Sequence, residues 1–209
     1  MKRGFPRKWA IRFYIALAAA TLAAVVWINL SRKKPEPLSA AERQDLAVTD
    51  ELSGKRLRHP LLGFSLAYPG PKFFESADAE KKVGFTGDPS TRFYAFTELD
   101  SGRMVIVSLS RRPHMSGDGF ARAVDSVTQM FTSRTAAGFD AGAAVDVLSK
   151  EVDRDGKRAE VHVRVHGLGH LRLRARLDRF AGETDYLLMV IAVSPADDSL
   201  APVVASLST

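Results

Sequence analysis

The chain has 209 residues, no cysteine, and 30 Lys or Arg against 24 Asp or Glu, for a formal charge of +6. Without cysteine, disulfide-dependent folding and lipoprotein processing are excluded. The positive balance does not mark a nucleic-acid binder: residues 1–56 hold 11 basic and 5 acidic residues, while residues 57–209 hold 19 of each, so the main body is neutral and has no long-range field for a polyanion.

The excess charge sits around one apolar segment. The first 34 residues carry eight Lys or Arg and no acid, on either side of the 18-residue uncharged run Phe13 to Leu30. At 1.5 Å per residue that run covers about 27 Å, close to the ~30 Å hydrocarbon core. With Arg12 snorkelling to the headgroups, residues 9–30 are predicted as a transmembrane helix behind a basic tail, 1–8. Trp9, Phe13 and Tyr14 at one end and Trp27 near the other are placed as interfacial aromatics. A cleaved signal peptide needs small residues just after the apolar run. Here Val25-Val26-Trp27-Ile28-Asn29-Leu30 meets Arg32-Lys33-Lys34, so an uncleaved signal anchor is expected. Lys2, Arg3, Arg7, Lys8 and Arg12 outnumber Arg32, Lys33 and Lys34, which places the N-terminus in the cytoplasm. In a bacterium this is a single-pass inner-membrane protein with a periplasmic C-terminal domain.

Residues 31–56 read as a polar linker, either a tether or a short helix from Ser39 to about Ala47. Residues 57–209 are enough for one domain with its own core. Period-2 patterning predicts a strand at Gly63 to Tyr68, stopped by Pro69-Gly70-Pro71. Arg92 to Leu99 and Arg103 to Ser110 form a hairpin across Asp100-Ser101-Gly102. A helix follows from Asp118, its cap, to Thr135, with Phe120, Val124, Val127 and Phe131 on one stripe. Val145 to Val152, Ala159 to His166 and His170 to Leu177 read as a meander, and Tyr186 to Val193 as a central strand covered on both faces. A terminal helix is expected with Ser194 as N-cap, Pro195 at N1, Asp197 and Asp198 in its first turn, and a bend at Pro202. The fold class is α+β: a mostly antiparallel sheet flanked by helices.

This pattern resembles the PsbP-like domain family. The resemblance is carried by the opening Gly63-Phe64-Ser65-Leu66-Ala67-Tyr68-Pro69, the single central helix, the meander and the terminal helix ending Ala205-Ser206-Leu207-Ser208. Phe73 and Phe74 stand where members of the family often have tryptophan. The resemblance implies a binding, assembly or accessory role, with no shared catalytic set to transfer.

The most distinctive stretch is VHVRVHGLGHLRLRARL, residues 161–177. Alternation sends Val161, Val163, Val165, Leu171, Leu173, Ala175 and Leu177 to one face, and His162, Arg164, His166, His170, Arg172, Arg174 and Arg176 to the other. A three-residue loop, Gly167-Leu168-Gly169, would set His166 opposite His170, Arg164 opposite Arg172 and His162 opposite Arg174. Like charges directly opposite destabilise a ladder, so compensation is expected. A tight Asp155-Gly156 turn would oppose Glu151 to Glu160; a five-residue loop, Asp153 to Lys157, would oppose Asp146 to Arg164 and Lys150 to Glu160. The second is expected because its charges match, which makes much of this a balanced, solvated face. The alternative is an anion-binding face of Arg164, Arg172, Arg174 and Arg176, extended by Arg111 and Arg112. A metal site would use His162, His166 and His170, with no acid or cysteine placed to complete it.

No nucleophile elbow, lysine-bearing glycine loop or HExxH motif is present, and Asp197 and Asp198 are adjacent on one element and do not face each other. The reading is a membrane-anchored, non-enzymatic protein without a cofactor, acting on a membrane or periplasmic protein partner. The alternative is a small-anion or metal sensor on the His/Arg face.

Overall fold

Alternating apolar residues and short turns build ten strands, β1 (Ala47–Glu51), β2 (Gly54–Arg58), β3 (Ser65–Ala67), β4 (Phe74–Glu75), β5 (Thr91–Glu98), β6 (Arg103–Arg112), β7 (Val145–Val152), β8 (Arg158–Val165), β9 (Leu171–Phe180) and β10 (Asp185–Pro195). Two helices, α1 (Gly117–Gly138) and α2 (Ala201–Ala205), complete the described elements. They come from a computed structural model that describes residues 37–44, 46–52, 54–75, 89–112, 115–138, 144–166, 171–180, 185–195 and 198–208. The expected basic tail and transmembrane helix, 1–30, lie outside these residues. No helix among the described residues is long and apolar enough to cross a membrane.

The strands form a three-stranded sheet, β1-β2-β3, and a seven-stranded sheet, β4-β5-β6-β10-β9-β8-β7, with every pairing antiparallel. Period-2 alternation divides the large sheet between two cores. Phe93, Met104, Ile106, Leu187, Met189 and Ile191 share one core with the α1 stripe of Phe120, Val124, Val127 and Phe131. Tyr94, Phe96, Val105, Val107, Leu188 and Val190 share the other with Leu57 and Leu66 of the small sheet and with Val203 and Val204 of α2. β10 is therefore covered on both faces, as its continuous apolar run predicts. Gly102, at φ 70°, supplies the left-handed residue that closes the β5–β6 turn.

Several expectations are corrected. Residues 37–56, expected as a tether, are packed: Leu38 and Leu46 are buried and β1 pairs fully with β2. Ser39 and Glu42 cap each other, Glu42 Oε2 accepting from Ser39 N at 2.6 Å and Ser39 Oγ from Glu42 N at 3.3 Å. That turn does not grow into a helix, because the chain enters β1 at Ala47. Ser116, rather than Asp118, caps α1: its Oγ accepts from Gly119 N at 3.1 Å. Ser194 and Pro195 end β10 instead of starting a helix. Helix α2 begins later, with Pro202 at its start, where a missing N–H costs nothing.

The C-terminus is tied to β3. Ser65 and Ser208 exchange backbone hydrogen bonds of 2.9 Å in both directions, and Ala67 N donates to Ser206 Oγ at 2.8 Å. Helix α2 packs on β3, β9 and β10, and α1 packs on the opposite face of β7 and β8. The outward residues of β7 and β8 are all exposed or half-buried: Asp146, Ser149, Glu151, Glu160, His162 and Arg164. Among the described residues, no element covers this strip of the large sheet.

Candidate functional site

The β8–β9 register places the basic residues as the short loop predicts. Arg164 pairs with Arg172, and His162 with Arg174. The valines of β8 and the Leu171, Leu173, Ala175 and Leu177 row of β9 enter the α1 core, which forces the charged residues to the outer face. His170 lies outside the described residues.

The four arginines have different surroundings. Arg164 and Arg172 are half-buried, and neither has a hydrogen-bond or ion-pair partner among the described residues. Arg174 Nη2 donates to Asp198 Oδ2 at 2.7 Å, while its buried Nε has no partner. Arg176 is 3% exposed; its Nε donates to Asp178 Oδ2 at 2.7 Å and its Nη1 to the Ala205 carbonyl at 3.3 Å. Asp178 also accepts from Arg158 Nε at 3.0 Å. Arg176 is thus a buried strut beneath the end of α2 and cannot meet a ligand. Arg111 and Arg112 stand opposite Tyr186 and Asp185, at the far end of β10 from Ser194, the partner of Arg172. They do not extend the cluster.

His162 Nε2 is buried without a partner. Burial holds its pKa below the ordinary histidine value, and the facing Arg174 adds to this, against the opposing pull of Asp198. His162 is therefore a neutral ring between two charged rows at neutral pH. His166 is engaged elsewhere, its Nε2 lying 2.5 Å from Asp146 Oδ2. Among the described residues no group of three His, Cys, Asp or Glu is placed to hold a metal ion.

The β7–β8 register combines both readings of the sequence. Asp146 pairs with Arg164, as the five-residue loop predicts, but a bulge between Val147 and Ser149 shifts the strand by one. Beyond it Glu151, not Lys150, stands opposite Glu160. Lys150 points to the other face and pairs with Asp125 of α1. The expected charge balance therefore fails at both ends: Asp146 bonds His166 in place of Arg164, and the two glutamates face each other. The outer face reads in rows across β7, β8 and β9: Asp146–Arg164–Arg172, Ser149–His162–Arg174, and Glu151–Glu160–Arg176. The register of a tight Asp155-Gly156 turn gives the glutamate pair, but the charges favour the longer loop, and nothing in the pattern marks Leu148 as the bulged residue that joins the two registers. Asp198 was hidden because it read as part of a helix.

Two solved structures are similar in outline. Cyanobacterial PsbP (CyanoP) from Synechocystis sp. PCC 6803 aligns at 14% identity and a TM-score of 0.44, over 83% of this chain and 98% of that one. A point mutant of the protein Mog1 aligns at 10% identity and 0.41, over 79% of this chain and 96% of that one. Likeness at this level carries no functional conclusion. No family model and no curated protein matches the chain.

Proposed function

We propose that this chain is a single-pass, membrane-anchored, non-catalytic binding or assembly protein. Its PsbP-like domain stands on the periplasmic side of a bacterial inner membrane and engages a membrane or periplasmic protein partner. The anchor reading rests on the apolar run 13–30 and its flanking charges. The binding reading rests on one observation: β7, β8 and the adjoining edge of β9 present a charged face on which, among the described residues, nothing packs and Arg164 and Arg172 stand side by side without a side-chain partner. Two guanidinium groups in that position repel each other until a carboxylate or similar anion joins them. Charge reversal tests this directly. Arg164→Glu with Arg172→Glu, in the full chain in its own membranes, abolishes the partner's cross-links while the domain stays folded; unchanged cross-links would refute the reading.

A second reading, a sensor of small anions on the same face, is favoured by the same arginine pair. Purified full chain that gains thermal stability from inorganic phosphate, and yields no protein cross-link at this face, would select it. Zinc serves as the metal control for His162 and His166.

A further inference from the structure

The β8–β9 register and the bulge in β7 together leave two like-charged pairs of opposite sign on one face. Arg164 stands opposite Arg172, and Glu151 opposite Glu160. None of the four has a hydrogen-bond or ion-pair partner among the described residues. Each pair alone is unfavourable, and the opposite charges beside them are engaged elsewhere, Asp146 next to Arg164 with His166 and Arg176 next to Glu160 with Asp178. The two lie four residues apart on β8, about 13 Å at ~3.3 Å per residue, and an even spacing points both the same way. Between them sit Ser149 and the neutral His162, whose Nε2 lacks a partner. Helix α2 packs on β10 and β9, and among the described residues no element packs on this face of β7 and β8 to a comparable extent.

We infer that this face is complementary to a dipolar segment: an extended stretch of a partner protein that sets a carboxylate on Arg164–Arg172 and, four residues along, a cationic side chain on Glu151–Glu160. The inference rests on the outer face of β7–β9 being the binding surface. A carboxylate between two guanidiniums relieves their repulsion and accepts in a bidentate manner. A lysine or arginine does the same for the glutamates. The paired signs fix the direction in which the segment lies, which is how charge contributes specificity in a domain without net charge. A purely anionic ligand answers only the first pair and leaves the second unrelieved.

The test uses full chain in nanodiscs and three labelled, threonine-rich peptides, read by fluorescence anisotropy at about 0.15 M salt. One peptide carries Glu and Lys four residues apart, the second carries two Glu at those positions, and the third carries Glu and Lys two apart. The first binds more tightly than the others by about two- to fivefold, the scale of one exposed ion pair. Glu151→Gln with Glu160→Gln removes that advantage, and Arg164→Gln with Arg172→Gln abolishes binding of all three. If the two-Glu peptide binds wild type as tightly as the Glu/Lys peptide, the dipolar inference is overturned while the face stands as an anion-binding surface. If no peptide binds, or the arginine variant binds unchanged, the face is not a binding surface and both readings fail.

Discussion

Glu151 lies directly across from Glu160, because a bulge at Leu148 advances the end of β7 by one residue against β8. The same shift turns Lys150 to the opposite face, where it pairs with Asp125. A strand that could have neutralised its neighbour instead leaves two carboxylates side by side.

That arrangement predicts a stabilising substitution. Glu151→Lys replaces a like-charged cross-strand pair by an opposite-charged one and adds about 0.2–1 kcal/mol, the usual range for such pairs. Chemical denaturation measures it. A loss of stability would show that Glu151 already has a compensating partner.

Arg176→Met acts in the other direction. It leaves Asp178 buried with only the Arg158 contact and costs about 3–5 kcal/mol, as removal of one member of a buried pair does. The peptide contacts at Arg164 and Arg172 are unaffected in the protein that remains folded. Denaturant midpoints and anisotropy together separate the two effects.

The domain starts earlier than its polar linker suggests. A chain beginning at residue 57 lacks β1 and most of β2 and exposes Leu66 and the core around it. It unfolds without a cooperative transition, whereas a chain beginning at residue 37 melts as one unit. Within the full chain, Leu38→Ala costs about 2 kcal/mol or more by the usual large-to-small penalty. A cooperative melt of the shorter chain would contradict this boundary.

Acid destabilises the fold through histidine before carboxylates contribute. His59 is 1% exposed, its Nδ1 accepting from Leu62 N at 3.2 Å and its Nε2 donating to the Glu42 carbonyl at 3.3 Å. Burial lowers its pKa below 6.5, with the Glu42 backbone bond and charge opposing. The unfolded chain then takes up the proton first, so the contribution is full above about pH 6.5 and falls as pH drops below it. His162 behaves alike. Glu98, held low chiefly by Ser101, and Asp153, held low chiefly by its Arg158 backbone bond, add losses only below 4.5 and 3.8. Stability therefore declines as pH falls below about 6.5, before the carboxylates contribute, and His59→Gln with His162→Gln flattens that decline. An unchanged slope in the double variant would assign it to other groups.

Much of the fold is legible in the residue pattern. The α1 stripe, the β5–β6 hairpin, the meander and the doubly covered β10 follow from periodicity, and the Arg164–Arg172 and His162–Arg174 pairs follow from a three-residue loop. Alternation assigns a side chain to a face but does not say what covers that face. Arg176 points outward as expected and is still buried beneath the end of α2. A bulge has no compositional mark, so the coexistence of the Glu151–Glu160 and Asp146–Arg164 pairs is not readable. Residues 37–56 look like a tether because they are polar and rich in Ser and Ala, while what orders them lies far along the chain: Leu46 packs in the core with Val190 and Val204, and Leu38 N donates to the Pro89 carbonyl at 2.8 Å.

The central claim is that the outer face of β8 and β9 receives the partner of a membrane-anchored domain. Site-specific photo-cross-linking in living cells measures it most directly, with the cross-linking residue at position 149, beside His162 on that face, and at position 122 on the exposed side of α1. The account predicts one discrete adduct from position 149, lost on Arg164→Glu with Arg172→Glu, and none from position 122. An adduct from position 122 alone, or an equal one from both, would contradict it.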